Sequence, residues 1–138
     1  MYKKTITYTD YFDVERTEDF YFNLSESELM QLQLSTQKGF YNEMQALVDS
    51  HDGPKIMSAF NQIILKAYGE KSDDGRRFIK SPEISKAFSE TPAYDKFFME
   101  IIEDPKAASE FINGIVPSKM KLSGDETAKI IAMAEAKN

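Results

Sequence analysis

The first 24 residues alternate between two kinds of side chain with a period of two, as a β-strand with two different faces does. One face carries most of the aromatic and aliphatic residues, and its members are Tyr2, Lys4, Ile6, Tyr8, Glu18, Phe20, Phe22 and Leu24. Residues 10–14 separate the two alternating segments and are expected to form a turn. The pattern therefore predicts an N-terminal β-hairpin over residues 1–24, with one apolar and one polar face.

A two-stranded hairpin is only marginally stable in water, so this one must pack its aromatic face on the rest of the chain. Its outer edge would carry unpaired backbone groups that can pair with another polypeptide. Two interpretations stay open at this stage. The edge binds a partner, or the hairpin only covers the core of its own domain.

From residue 25 onward, apolar residues recur at helical spacing and the helix starts are well marked. Two capping boxes are present, at Ser25 with Glu28 and at Ser123 with Glu126. Three further starts place a capping residue directly before a proline, at Ser81-Pro82, Thr91-Pro92 and Asp104-Pro105. Earlier helices are predicted over residues 40–49 and 54–68. These signals predict short helices that meet at sharp angles.

The chain is therefore expected to be one α+β domain over residues 1–138, mostly α-helical, with an N-terminal β-hairpin. The hairpin occupies residues 1–24, a helical core occupies residues 25–117, and residues 118–138 form a loosely attached C-terminal segment. Within that last segment, a helix is predicted from Asp125 to Ala136. Its apolar stripe is thin, so we expect it to be loosely attached.

The composition of the chain argues against several kinds of site and partner. The 138 residues carry a net charge of −6 and contain no cysteine, which excludes disulfides and thiolate metal sites. The basic residues near positions 66–86 are diluted by acidic ones, which argues against nucleic acid as a partner. No apolar run approaches the length of a membrane span, so a membrane is not expected as a partner either.

No motif in the chain predicts catalysis, a cofactor or a metal. His51 is the single histidine, and it stands at an expected helix end, where a histidine interacts favourably with the helix dipole. The segment from Gly69 to Ser72 lacks the spacing of a phosphate-binding loop, and residues 72–75 lack the ligand pattern of a calcium loop. We expect Gly69 to end the preceding helix in a left-handed conformation.

Two groups of residues are candidates for partner binding. Tyr11, Phe12 and Tyr21 occupy loop and polar-face positions, where aromatic side chains are not needed for a core. Arg76, Arg77 and Phe78 combine arginine with an aromatic residue on a turn, which is typical of interaction hot spots. A second interpretation of the latter group stays open. Phe78 anchors the turn in the core, while the arginines pair with Asp73 and Asp74.

Three segments carry a resemblance to a known family. Residues 63–82, with the sequence IILKAYGEKSDDGRRFIKSP, closely resemble a segment that recurs in tail assembly chaperones of long-tailed, siphovirus-like bacteriophages and prophages. Residues 15–24, ERTEDFYFNL, and residues 111–117, FINGIVP, are similar to further parts of these proteins. The resemblance spans residues 2–117.

The resemblance implies a chaperone without enzymatic activity that binds the tape measure protein and keeps it soluble during assembly of the tail tube. It implies action in the host cytoplasm and absence from the mature virion. The major tail protein and a second copy of the chain are further candidate partners. The alternative is a structural virion protein, such as a small tail or head-tail joining subunit, that uses the hairpin edge for lateral pairing.

Overall fold

The structure is a computed structural model that describes residues 1–35, 37 and 39–117. Its strands and helices follow in the order β1 (Tyr2–Thr9), β2 (Glu15–Phe22), α1 (Glu26–Leu34), α2 (Phe40–Ser50), α3 (Gly53–Ala67), β3 (Tyr68–Lys71), β4 (Phe78–Ile79), α4 (Pro82–Ser89), α5 (Pro92–Glu103) and α6 (Pro105–Ile115). The α+β class with an N-terminal hairpin is confirmed. The helix predicted over residues 125–136 and the second capping box lie outside the described residues.

The predicted hairpin forms an antiparallel pair whose register runs from Tyr2 opposite Phe22 to Thr9 opposite Glu15. We expected a hairpin of two strands only, but the structure extends it into a larger sheet. β2 also pairs with β3 through Tyr21–Gly69 and Phe22–Tyr68, and β3 pairs with β4, which gives a sheet of order β1-β2-β3-β4. The base of the hairpin is therefore tied into a larger sheet, while its turn projects beyond that sheet.

The prediction for Gly69 was wrong. Helix α3 ends at Ala67, and Tyr68 already has an extended backbone with φ −66° and ψ 140°. Gly69 continues this extended path inside β3 and does not adopt a positive φ. Its lack of a side chain serves a close approach, because a Cβ atom at this position would lie 2.6 Å from Cε2 of Phe78.

The helix starts lie where the capping signals placed them. Ser25 and Glu28 form the predicted capping box, and Ser81, Thr91 and Asp104 each accept a backbone amide at the start of α4, α5 and α6. Asp104 is both the C-cap of α5 and the N-cap of α6, so no residue separates the two helices except this one. Helices α2 and α3 begin and end within one residue of the predicted bounds.

An aromatic core lies between the inner face of the sheet and the last three helices. Phe22 is fully buried, and five other aromatic rings have centroids within 6.1 Å of its own, those of Tyr2, Tyr68, Phe88, Phe97 and Phe111. Aromatic pairs at such distances add to the stabilisation that comes from burial alone. The apolar face predicted from the alternation is therefore the face that builds the core.

Strand β1 is the outer strand of the sheet, as predicted, but its edge is not fully free. Helix α5 lies close to β1, with an ion pair of 2.8 Å between Lys4 and Glu100. The ammonium group of Lys96 also donates a hydrogen bond to the backbone carbonyl of Thr7. A lysine at an edge strand discourages pairing with another chain, so the edge is a weaker candidate for partner binding than we expected.

Candidate partner-binding site

The turn of the hairpin carries the densest group of exposed apolar side chains among the described residues. Tyr11 is 81% exposed, Phe12 is 88% exposed and Val14 is 54% exposed. The other large apolar side chains that are exposed in the described part of the chain lie apart from one another in sequence, at Met1, Leu34, Met57 and Met99. We call residues 10–14 the hairpin tip. An aromatic pair this exposed is typical of a surface that binds a partner.

The hairpin tip is ordered by the carboxylate of Asp10. One oxygen of this group accepts the backbone amides of Phe12 at 2.8 Å and Val14 at 3.0 Å, and the other accepts Nε of Arg16 at 2.7 Å. The backbone amide of Asp10 also donates to the carbonyl of Val14 at 2.9 Å, and Asp13 adopts a left-handed conformation with φ 62°. The two exposed aromatic residues are therefore carried on a loop of defined conformation.

These contacts stabilise the ionised form of Asp10. The hydrogen bond from Arg16, followed by those from the backbone amides of Val14 and Phe12, lowers the pKa of Asp10 below its ordinary value. The same hydrogen bond raises the pKa of Arg16. At neutral pH, both groups are charged and paired with each other.

A shallow groove lies between the hairpin tip and the junction of α4 and α5. Its volume is about 290 Å³. The lining residues are Tyr8, Asp10, Tyr11, Phe12, Arg16, Glu90, Thr91 and Pro92. We call this groove the tip notch. One wall is aromatic, the other is formed by Pro92, and the space is large enough for an apolar side chain of a partner.

Tyr21 lies away from the hairpin tip, at the other end of the hairpin. It pairs with Lys3 and Gly69 across the sheet and is half-buried, and the ammonium group of Lys71 lies 4.0 Å from the centre of its ring. Phe78 packs over Gly69 on this same outer face of the sheet. The structure thus separates Tyr21 from Tyr11 and brings it together with Phe78.

Arg76 and Arg77 lie exposed on the turn between β3 and β4. The expected pairing of these arginines with two aspartates is not found in the described part of the chain. Asp74 instead accepts the backbone amide of Arg76 at 3.0 Å and the hydroxyl of Ser72 at 2.7 Å. The turn is held by the side chains of Asp74 and Ser72 together with backbone hydrogen bonds, and both guanidinium groups stay available to a partner.

Apolar grooves also lie between the helices. The first has a volume of about 160 Å³ and lies among α2, α3, α5 and α6, with Val48, Ile56 and Ile101 in its lining and His51 beside them. The second has a volume of about 180 Å³ and lies among α1, α2 and α3, with Phe40, Met44 and Ile63 in its lining. Helical periodicity in the sequence places such residues on the buried faces of the helices. It cannot show that they border a groove.

Three residues of the candidate site were missed by the sequence analysis. Asp10 and Arg16 order the hairpin tip, and Glu90 lines the tip notch from the end of α4. An aspartate at the start of a turn often accepts backbone amides two residues further on, and this was the one available signal for Asp10. Nothing in the local sequence connects Glu90 to the hairpin.

The described residues offer exposed aromatic side chains and apolar grooves as contacts for a polypeptide. No three of their histidine, aspartate and glutamate side chains come together in a way that could hold a metal ion. None of the helices in the described ranges is long and apolar enough to cross a membrane. The arrangement is that of a small α+β domain with an ordered aromatic tip and apolar grooves.

The chain belongs to the phage tail assembly chaperone family, since the model of that family matches residues 1–137. This match confirms the resemblance found in the sequence. The family is not a family of enzymes, and membership implies a tail protein as the partner. No curated protein and no solved structure matches the chain.

Proposed function

We propose that the chain binds the tape measure protein of its phage through the hairpin tip and keeps it soluble while the tail tube is assembled. The observation that supports this most is the exposure of Tyr11 and Phe12 on a turn whose backbone is fixed by Asp10. Because the backbone that carries these two aromatic side chains is ordered in advance, less backbone entropy is lost on binding, and such a surface suits an apolar partner.

The client expected from the resemblance is a long, largely helical protein with apolar stripes. One small hairpin tip contacts only a short part of such a client, so the affinity of a single contact is modest. Many copies bound along one client would cover its apolar surface together. The major tail protein and a second copy of the chain remain further proposed partners.

Co-expression of the chain with the tape measure protein tests the proposal. We expect the double substitution Tyr11→Ser and Phe12→Ser to move most of the tape measure protein into the insoluble fraction and to abolish its co-purification. The matched control is Met57→Ser with Met99→Ser, because these side chains are 44% and 40% exposed and lie away from the tip. Unchanged recovery with the tip variant would discard the hairpin tip as the client surface.

The turn between β3 and β4 is a second proposed surface for the same client. Arg76, Arg77 and Phe78 are tested by alanine substitution in the same co-expression experiment, together and without changes at the tip. If recovery falls for this variant and not for the tip variant, the client binds at the β3–β4 turn.

The site of action is proposed to be the host cytoplasm, with release before the particle is complete. Mass spectrometry of purified virions separates this proposal from the alternative of a structural subunit. A chaperone is absent from the particle, whereas a tail or head-tail joining subunit is present at a fixed copy number.

A further inference from the structure

Acidic side chains that form no ion pair with a described residue lie at the tip notch and near it. Glu90 lines the notch, Asp13 lies within the hairpin tip, and Asp95 follows Thr91 by one helical turn. All three are exposed, and none of them forms an ion pair with a described residue. The notch therefore presents an apolar surface with acidic side chains beside it.

The positive groups near the notch are already occupied. Arg16 pairs with Asp10 at 2.7 Å and lies 3.7 Å from Glu18. Lys96 donates to the carbonyl of Thr7 and keeps its positive charge. Acidic side chains still outnumber basic ones in this region, so the local field is negative and a partner with acidic residues beside its apolar contact would be repelled.

We propose that the tip notch selects amphipathic helices in which lysine or arginine flanks the apolar stripe. An apolar side chain of the partner packs between Phe12 and Pro92, and a base one turn away pairs with Glu90. This inference rests on the proposed function and adds the chemistry of the client segment. Apolar contact supplies most of the affinity, whereas the acidic rim decides which helices bind.

Synthetic helical peptides test the selection directly against the full chain. One 18-residue amphipathic peptide carries a leucine stripe flanked by lysine, and a second of the same length carries the same stripe flanked by glutamate. A third keeps the lysines and replaces leucine with alanine. We expect the first to bind about tenfold more tightly than the second at low ionic strength, because the exposed acidic side chains attract lysine and repel glutamate. The third peptide should not bind.

The rim variant is Glu90→Lys combined with Asp13→Asn, which keeps a residue that tolerates positive φ at position 13. We expect it to lose the preference for the lysine peptide. The control is Glu110→Lys, an exposed position on α6 that does not line the notch, and the preference should persist there. Circular dichroism of each variant confirms that the fold is retained.

The inference is overturned if the wild-type chain binds the lysine and glutamate peptides equally, or if the rim variant keeps the original preference. Failure of the proposed function gives a different pattern. In that case the Tyr11→Ser and Phe12→Ser variant still recovers soluble tape measure protein, whatever the peptides do. If the tip variant loses the client while the peptides show no charge preference, the proposed function stands and the selection does not.

Discussion

Replacing Lys80 with methionine tests a contact that joins separate parts of the fold. The ammonium group of Lys80 donates to the backbone carbonyl of Asn23 at 2.7 Å and to the two carboxylate oxygens of Glu28 at 2.8 and 2.9 Å. Glu28 in turn closes the capping box with Ser25 at the start of α1. We call Lys80, Glu28 and Asn23 the lysine clamp. Methionine keeps most of the side-chain stem and removes the charge.

The loss of stability expected for Lys80→Met follows from how deeply the ion pair is buried. The side chains of Lys80 and Glu28 are 21% and 28% exposed, so the pair is shielded more than a surface ion pair and less than a core pair. Hydrogen bonds to charged groups contribute about 1.5–3 kcal/mol, and exposed ion pairs about 1 kcal/mol or less. We expect Lys80→Met to lower the free energy of unfolding by about 2 kcal/mol. In a chain of this size, that lowers Tm by about 6 °C.

The pH dependence has a definite sign. Burial by itself would raise the pKa of Glu28, but the hydrogen bonds from Lys80 and from the backbone amide of Ser25 outweigh it and hold the pKa below its ordinary value. A carboxyl group with a lowered folded-state pKa stabilises the fold above its ordinary pKa. That stabilisation is lost as the pH falls through the lowered value, so wild type and Lys80→Met should converge in acid.

Urea unfolding of wild type, Lys80→Met, Glu28→Gln and the double variant measures the clamp as a double-mutant cycle. Glutamine at position 28 can still serve the capping box. The control is Lys55→Met, since Lys55 is 74% exposed and lies 3.8 Å from Asp52, and it should change stability by less than about 0.5 kcal/mol. A Lys80→Met variant as stable as wild type, or a coupling energy near zero, would refute the reasoning.

Three further perturbations follow from the structure. Gln33 is fully buried and neither polar atom of its side chain has a described partner, so Gln33→Met should raise the free energy of unfolding by about 1–2 kcal/mol in a urea titration, and a loss of stability would contradict this. Gly69→Ala should cost about 1–3 kcal/mol, because its Cβ would lie 2.6 Å from Phe78 and 2.9 Å from the carbonyl oxygen of Ile79, and near-normal stability would show that β4 yields. Burial raises the pKa of Tyr68 to about 12, so stability should fall between pH 10 and 12 as the unfolded state loses this proton first. Tyr68→Phe should make that fall smaller in thermal scans without abolishing it, since burial also raises the pKa of Tyr2 and Tyr94, and an unchanged fall would contradict this.

Local signals predicted the parts of the fold that depend on local interactions. Each capping residue in the described range accepts a backbone amide at the helix start that it marked, because the bond forms within four residues of the chain. The alternation of the first 24 residues predicted the hairpin and its apolar face, because successive side chains of a strand point to opposite faces of the sheet. It also placed Tyr21 on the outer face, where the structure has it.

Contacts between distant segments were not predictable in this way. β3 has four residues and β4 has two, too few to show a period, and both are ordered by pairing with β2 and with each other. For this reason the sequence analysis interpreted Gly69 as the end of a helix, whereas Gly69 lies within β3 and α3 ends at Ala67. The tip notch also depends on contacts between distant segments. Glu90 and Phe12 lie far apart in the sequence and line the same groove only in the folded chain.

Burial along the hairpin decreases from its base to its turn. Phe22 is fully buried and Ile6 is 4% exposed, whereas every residue from Tyr11 to Asp19 is exposed. Backbone amides near Phe22 should exchange with deuterium only when the whole domain unfolds, while those near Glu15 exchange through local opening. Openings at the far end of the hairpin are thus brief departures from the conformation that Asp10 fixes, and they leave the aromatic centre of the molecule undisturbed.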